Sequence, residues 1–217
     1  MAWETILFDL DGTVTDPKEG ITKAVATALA HFGIQADPDS LTAFIGPPLD
    51  ESFREFYGFT EEQCQQGIVK FREYFSRQGW AENVPYPGMA ELLGELRAAG
   101  KKLIIATSKP EEFAVRILEH FGMAKYFHLI CGAPMHDQQG ARKAAVIREA
   151  LRRGGVEDIS SAVMVGDRRH DVAGAHEVGL PCIGVLYGYG DRAEHEAAGA
   201  EVIAEDLEEL KGILLGD

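Results

Sequence analysis

The chain has 217 residues, 46% hydrophobic and 26% charged, a globular composition that excludes disorder and fibrous repeats. Its length leaves room for one sizeable core plus a small accessory domain. Twenty-one basic residues against 35 acidic ones give a formal charge of −14, which repels nucleic-acid backbones and anionic membrane surfaces, so neither polymer nor membrane is an expected partner.

Taken in chain order, Thr5-Ile6-Leu7-Phe8 is a short apolar run of the kind that makes a buried parallel strand. From residue 17 to 84 only helical patterns follow. Ile21, Ala24, Val25, Ala28, Leu29 and Phe32 fall on one stripe. A second helix is expected over Leu49–Tyr57. A third starts at Thr60, which can form a capping box with Gln63, and presents Cys64, Ile68, Phe71 and Phe75 on one side. Pro85-Tyr86-Pro87-Gly88 then returns the chain to strand–helix alternation. Apolar runs at Leu103–Ala106, Leu129–Cys131, Ala162–Val165 and Cys182–Val185, with a weaker one at Glu201–Ile203, interleave with amphipathic segments at Met89–Ala99, Glu111–Phe121, Lys143–Arg153 and Arg169–Val178. Asp206 and Glu209 read as a capping box opening the last helix.

This pattern predicts an α/β fold, a Rossmann-like parallel sheet with helices on both faces and right-handed crossovers, plus an inserted all-helical domain. The expected boundaries are 1–16 and 85–217 for the α/β core and 17–84 for the helical insert, with hinges near Asp16–Pro17 and Val84–Pro87. No apolar run approaches the ~18 residues that span a bilayer. Met1-Ala2-Trp3-Glu4 lacks the basic-then-apolar pattern of a signal peptide. Cys64, Cys131 and Cys182 are odd in number, widely spaced and flanked by apolar residues, as expected of reduced core thiols in a cytoplasmic protein.

Chemistry is expected at the carboxyl ends of the strands. The first ends in Asp9-Leu10-Asp11-Gly12-Thr13. In extended chain, residues i and i+2 share a side, so Asp9 and Asp11 should aim two carboxylates at one spot, and Gly12 permits the turn that follows. The bland alternative is an Asp-rich turn that caps the next helix. D-x-D-G-T arises by chance in roughly 0.3% of sequences of this composition, whereas GDxxxD, here Gly166 to Asp171, arises in roughly 8%. The second pattern therefore gains its meaning from its place at another strand end. Together Asp9, Asp11 and Asp167 offer an oxygen-rich set suited to Mg²⁺. Thr107-Ser108-Lys109 follows a third strand, where a hydroxyl beside helix N–H groups can cradle an anion or simply cap the helix. Arg142 and Lys143 open a further helix.

These elements, in this order, resemble the haloacid dehalogenase (HAD) superfamily of phosphohydrolases, with D-x-D-G-T as first motif, Thr107 as second, Lys143 as third and Gly166-Asp167-x-x-x-Asp171 as fourth. The insert resembles the C1-type cap of that superfamily. Phe8-Asp9-Leu10-Asp11-Gly12-Thr13, Ile45-Gly46-Pro47-Pro48 and Gly-Asp-Arg are most similar to phosphoglycolate phosphatase-like members, although Ser108 stands where many of those carry Asn. The resemblance implies a Mg²⁺-dependent phosphatase acting through an aspartyl-phosphate. Asp9 would be the nucleophile, Asp11 the general acid–base and Lys143 a catalytic cation. Gly12, Thr13, Thr107 and Ser108 would bind substrate. Asp9, the Asp11 backbone carbonyl and Asp167 would hold the metal, with Asp171 supporting its water shell and Lys143.

Specificity would come from the cap, where Phe44, Ile45, Gly46 and Arg54 are candidates. Phe44 and Ile45 can equally be cap core, and Arg54 can pair along its own helix. His170 is expected on a helix surface, and Tyr187–Asp191 reads as a Gly-rich loop. The implied partner is a small phosphorylated metabolite, such as phosphoglycolate, a nucleotide or a sugar phosphate, with the protein a monomer or dimer. Other readings are a phosphomutase, a phosphonoacetaldehyde hydrolase using Lys18, Lys23 or Lys70 as a Schiff-base lysine, and a receiver-like phospho-Asp module. Hydrolytic dehalogenation would leave Asp11 and the metal site without a task.

Overall fold

A computed structural model describes residues 3–135 and 140–216 of the chain; Met1 and Ala2 of the N-terminal reading lie outside them. The chain divides into two compact units, Met1–Asp16 with Pro85–Asp217, and Pro17–Val84. It opens with β1 (Thr5–Phe8) and the two-residue β2 (Thr15–Asp16). The second unit carries α1 (Lys18–His31), α2 (Leu49–Tyr57) and α3 (Glu61–Tyr74). After the two-residue β3 (Val84–Pro85) come α4 (Met89–Ala98), β4 (Lys102–Pro110), α5 (Glu111–His120), β5 (Leu129–Ala133), α6 (Lys143–Arg153), β6 (Ala162–Gly166), α7 (Arg169–Val178), β7 (Cys182–Val185), α8 (Arg192–Ala198), β8 (Val202–Ala204) and α9 (Leu207–Leu215).

Six strands form a parallel sheet in the order β5-β4-β1-β6-β7-β8. Both alternating sets of side chains in β1 and β6 are buried, as a sheet covered on both faces requires. On one face, Leu7, Ile104 and Met164 pack with Val146, Ile147 and Ala150 of α6 and Val172 and Ala175 of α7. The α/β fold with a Rossmann-like parallel sheet is thus the one the alternation of apolar runs predicts. All three cysteines are buried and unbonded. Among the described residues, no helix is long and apolar enough to cross a membrane.

Three local differences have physical causes. β4 runs past Ala106 to Pro110, with an irregular register between Thr107 and Pro110, so residues expected to follow the strand and lie beside the next helix form a bulged strand end. Helix α8, which is not among the predicted segments, is seven residues long and is capped by Asp191, whose side chain accepts from Glu194 N. Asp206 caps α9 by accepting from Glu209 N, but the Glu209 carboxylate reaches back to Glu205 N.

In the second unit, the α1 stripe is buried from Ile21 to Leu29, and Thr60 and Gln63 form the expected reciprocal box. Its core is aromatic: Phe44 lies edge-on to Phe53 at 5.2 Å, and Phe53 stacks on Phe59 at 5.4 Å. α3 continues into a wide π-type turn over Phe75–Gly79.

Candidate active site

The site is built where β1, β4 and β6 end together. Phe8 lies opposite both Ile105 and Val165, and Asp9 N still donates to Val165 O at 2.9 Å. Beyond Asp9 the chain leaves strand geometry, with Thr13, Val14 and Thr15 N–H groups all directed at Leu10 O. The i, i+2 rule of a regular strand therefore does not carry over, and the two carboxylates take different partners. Asp9 Oδ1 meets Lys143 Nζ at 2.7 Å, whereas Asp11 Oδ2 meets Lys109 Nζ at 2.7 Å.

Lys143, the first residue of α6, is buried; its ammonium also lies 2.7 Å from Asp171 Oδ1 and donates to Ala106 O at 3.2 Å. Burial opposes its charge, but Asp171 and Asp9 outweigh that and hold the ammonium above its ordinary range. The stem of Lys143 runs against Gly174 of α7, where a β-carbon would come within 2.7 Å of its Cβ. Asp171 Oδ2 accepts from Arg168 N at 3.0 Å, so this carboxylate caps α7 while balancing Lys143. Burial pushes Asp171 up to about 6, with Lys143 pulling the other way.

Asp167 is fully buried at the end of β6. Thr13 Oγ1 donates to its Oδ1 at 3.3 Å and Tyr189 N to its Oδ2 at 2.8 Å. Burial raises its pKa well above the usual carboxylate range, and the charges of Asp171 and Asp9 add to that. Two glycines make room for it. Gly12 has φ +80°, and a β-carbon there would lie 2.1 Å from Asp167 Oδ2; one on Gly188 would lie 2.3 Å from Asp167 Cβ.

Asp9, Asp167 and Asp171 bring carboxylate oxygens within 4.8 Å of one another, all three buried. Three acids crowded against one buried ammonium, with hard oxygen donors only, fit a hard divalent cation such as Mg²⁺. The Asp11 carboxylate is not in this group. Burial raises its pKa, with the Lys109 charge opposing.

Of the expected substrate-binding residues, Thr107 is buried and its Oγ1 accepts from Lys109 N at 3.2 Å, and Ser108 is half-buried beside it. Gly12 leaves room for Asp167 while its own N donates to Thr15 O at 2.8 Å, and Thr13 donates to Asp167, so both act on that carboxylate. Arg54 is exposed, and its guanidinium pairs with Asp50 at 3.0 Å, the pairing along α2 that its spacing allows, and with Glu61 of α3 at 2.6 Å. Phe44 and Ile45 are core residues of the helical unit. His170 is half-buried rather than on the surface; burial lowers its pKa, and Arg169 and Arg168 add to that.

Two features are missed by sequence reasoning. Lys109 is one, because the strand appears to stop at Ala106. The other is Tyr187–Asp191. Gly188 and Tyr189 seat this loop on Asp167, Tyr187 OH donates to Thr13 O at 3.0 Å, and Tyr189 OH donates to Asp16. The alternation of Gly and Tyr was the available signal, since a backbone that must touch another chain segment selects glycine.

Comparison with known proteins now decides the family. Residues 6–185 match the model described as haloacid dehalogenase-like hydrolase. The chain belongs to that family. It is 41% identical over 216 residues to a 5'-nucleotidase of Pseudomonas aeruginosa, covering 99% of this chain and 96% of the relative. It is 30% identical over 213 residues to a phosphoglycolate phosphatase of Pseudomonas savastanoi pv. phaseolicola, covering 94% and 77%. A crystal structure of a predicted phosphatase from Clostridium acetobutylicum superposes with a TM-score of 0.96 at 43% identity, covering 100% of both chains. As a member of this haloacid dehalogenase-like family with such relatives, the protein is a phosphoric monoester hydrolase.

Proposed function

We propose that this phosphatase hydrolyses a small phosphomonoester, with Mg²⁺ as cofactor, through an aspartyl-phosphate on Asp9. The observation that carries the reading is the buried pair of Asp9 Oδ1 and Lys143 Nζ at 2.7 Å, set beside Asp167 and Asp171 at the end of the central strand. A carboxylate approaching a phosphate dianion meets repulsion of about 4 kcal/mol per charge pair at ~4 Å and an effective dielectric of ~20. Lys143 supplies one compensating charge, fixed in place by Asp171 and Ala106 O. Asp9, the Asp11 carbonyl and Asp167 would hold Mg²⁺, with Asp171 supporting them; when bound, the ion supplies further positive charge at the phosphoryl group.

In the first half-reaction, an Asp9 oxygen bonds to phosphorus, the bond to the leaving oxygen breaks, and Asp11 gives that oxygen its proton. In the second, water attacks phosphorus, the bond to Asp9 breaks, and Asp11 takes the water proton. Thr107 and the Ser108 N–H orient the phosphoryl oxygens. Residues 17–84 act as a cap that selects the leaving group and excludes bulk water. Lys18, Lys23 and Lys70 are each paired with carboxylates, and the hydrogen bonds Lys23 donates to Glu19 and Glu82 hold it above its ordinary range, the reverse of what a Schiff-base lysine needs. The three buried, unbonded cysteines support a cytoplasmic setting.

The extent of the likeness to a protein named 5'-nucleotidase puts nucleoside 5'-monophosphates first among substrates, ahead of phosphoglycolate and sugar phosphates. The test is phosphate release from such a panel, with and without Mg²⁺, beside Asp9→Asn. Mg²⁺-dependent turnover that disappears in the variant is expected. No turnover on any compound, with Asp9 still phosphorylated by acetyl phosphate, would sink the hydrolase mechanism.

A further inference from the structure

Two lysines enter the site, Lys143 buried and Lys109 half-buried, and they divide its carboxylates between them. Lys143 is committed to Asp9 and Asp171. Lys109 is committed to Asp11, at 2.7 Å from Oδ2, with side-chain exposures of only 6% and 12%. Lys109 reaches it because β4 is irregular between Thr107 and Pro110; Lys109 N donates to Thr107 Oγ1 at 3.2 Å, which turns the segment over the strand end. The two oxygens of Asp11 are consequently unlike. Oδ2 faces the ammonium, whereas Oδ1 is buried and has no hydrogen-bond partner. A buried acceptor left unsatisfied costs stability, and such an atom calls for an account.

We infer that Lys109 is a positioning residue, which clamps Asp11 by Oδ2 and so leaves Oδ1 as the oxygen that exchanges the proton. The inference rests on the general acid–base role proposed for Asp11. In the first half-reaction, the proton on Oδ1 passes to the departing alkoxide oxygen as the phosphorus–oxygen bond to Asp9 forms and that to the alcohol breaks. In the second, a water proton returns to Oδ1 as the water oxygen bonds to phosphorus and the bond to Asp9 breaks. Throughout, Lys109 keeps its own protons. Its contribution is to hold one carboxyl rotamer, a geometric requirement to which proton transfer is sensitive.

The test compares an alkyl phosphomonoester, whose leaving group must be protonated, with p-nitrophenyl phosphate, whose leaving group departs as the anion. Lys109→Met is expected to lower kcat on the alkyl ester by about 10²-fold while p-nitrophenyl phosphate loses less than about tenfold. Lys109→Arg should recover part of the alkyl rate. Should Lys109→Met fail to fold, Lys109→Gln, which retains a neutral donor, should show the same selectivity in reduced degree. Asp11→Asn is run beside them. If Asp11→Asn discriminates between the two esters and the Lys109 variants slow both equally or raise only KM, Lys109 binds phosphate or supports the fold, and the inference is overturned. If Asp11→Asn does not discriminate, the acid–base role of Asp11 fails, and this inference falls with it.

Discussion

The two units handle charge in opposite ways. Among the described residues, the charged residues buried as a whole are Asp9, Asp11, Lys143, Asp167 and Asp171, all in the α/β unit. The helical unit buries neutral polar groups, Thr22, Ser52 and Asn83, and its ion pairs, such as Lys18–Asp39 and Lys70–Glu73, lie at the surface. Desolvation makes a buried ion pair a poor source of stability, often no better than an apolar replacement. A unit that needs only to fold can avoid the expense, as the helical one does with its phenylalanine cluster. Five buried charges at one end of one sheet therefore mark chemistry.

The sharpest way to break this contrast is Asp9→Asn. Loss of the proposed nucleophile should reduce phosphate release by at least about 10⁴-fold, since residues acting as a unit are not replaced by their neighbours. Acid-quenched mass spectrometry should find no phosphate on the variant's residue 9 and a phosphoaspartate in the parent.

Next in size is Lys143→Met, which strands Asp9 and Asp171 without a counter-charge. Removing one partner of a buried pair costs about 3–5 kcal/mol, to be read as a lower urea midpoint without added metal. Arg54→Met is the matched control in the helical unit. Its partners Asp50 and Glu61 remain solvated, so the midpoint should not measurably move. An equal loss in both variants would erase the distinction between the units.

How much of this was legible beforehand follows the same division. Strand ends and helix periods are local, so Thr5–Phe8, Leu49–Tyr57, Lys143–Arg153 and the Thr60 box could be read from the sequence alone. Asp9, Lys143, Asp167 and Asp171 are gathered by the parallel register of β1 with β6 and by α6 packing on α7, which motif order anticipates. Lys109 escapes because a bulge carries no composition signal. The seating of Gly188 and Tyr189 on Asp167 escapes because it joins positions over twenty residues apart. For Asp11, the pairing rule of a regular strand was applied three residues beyond the strand's end.

That missed contact gives a milder test. Gly188→Ala would press a β-carbon into Asp167 and the Gly12 carbonyl, both at 2.3 Å, displacing the carboxylate without removing it. Disturbing the support of a metal ligand typically costs 10–100-fold in affinity. The Mg²⁺ concentration for half-maximal activity should therefore rise by about that factor, while the urea midpoint without metal changes far less than in Lys143→Met. An unchanged Mg²⁺ dependence would detach the loop from the metal role proposed for Asp167.

The smallest expected effect concerns His195, a titratable group that the chemistry does not use. It is fully buried, and Gly184 and Gly190 leave space for its ring: a β-carbon on Gly184 would lie 2.5 Å from Nδ1. Burial lowers its pKa below the ordinary 6.5; the nearby charges of Glu194 and Asp191 oppose that and Arg168 adds to it. On acidification the unfolded chain therefore takes up this proton before the folded protein does. Stability associated with neutral His195 is complete above about pH 6.5 and declines as pH falls through the folded value. Replacing the imidazole by a ring that cannot titrate, His195→Phe, should remove that slope, so the urea midpoints of parent and variant should change relative to each other between pH 7.5 and 5.5 in the variant's favour. Because His195 takes no part in the ion pairs of Asp9 and Lys143, kcat at pH 7.5 should stay near the parent's. A constant difference between the two midpoints across that range would mean that His195 keeps its ordinary pKa in the fold, and that buried charge alone, without buried neutral histidine, distinguishes the α/β unit from the helical one.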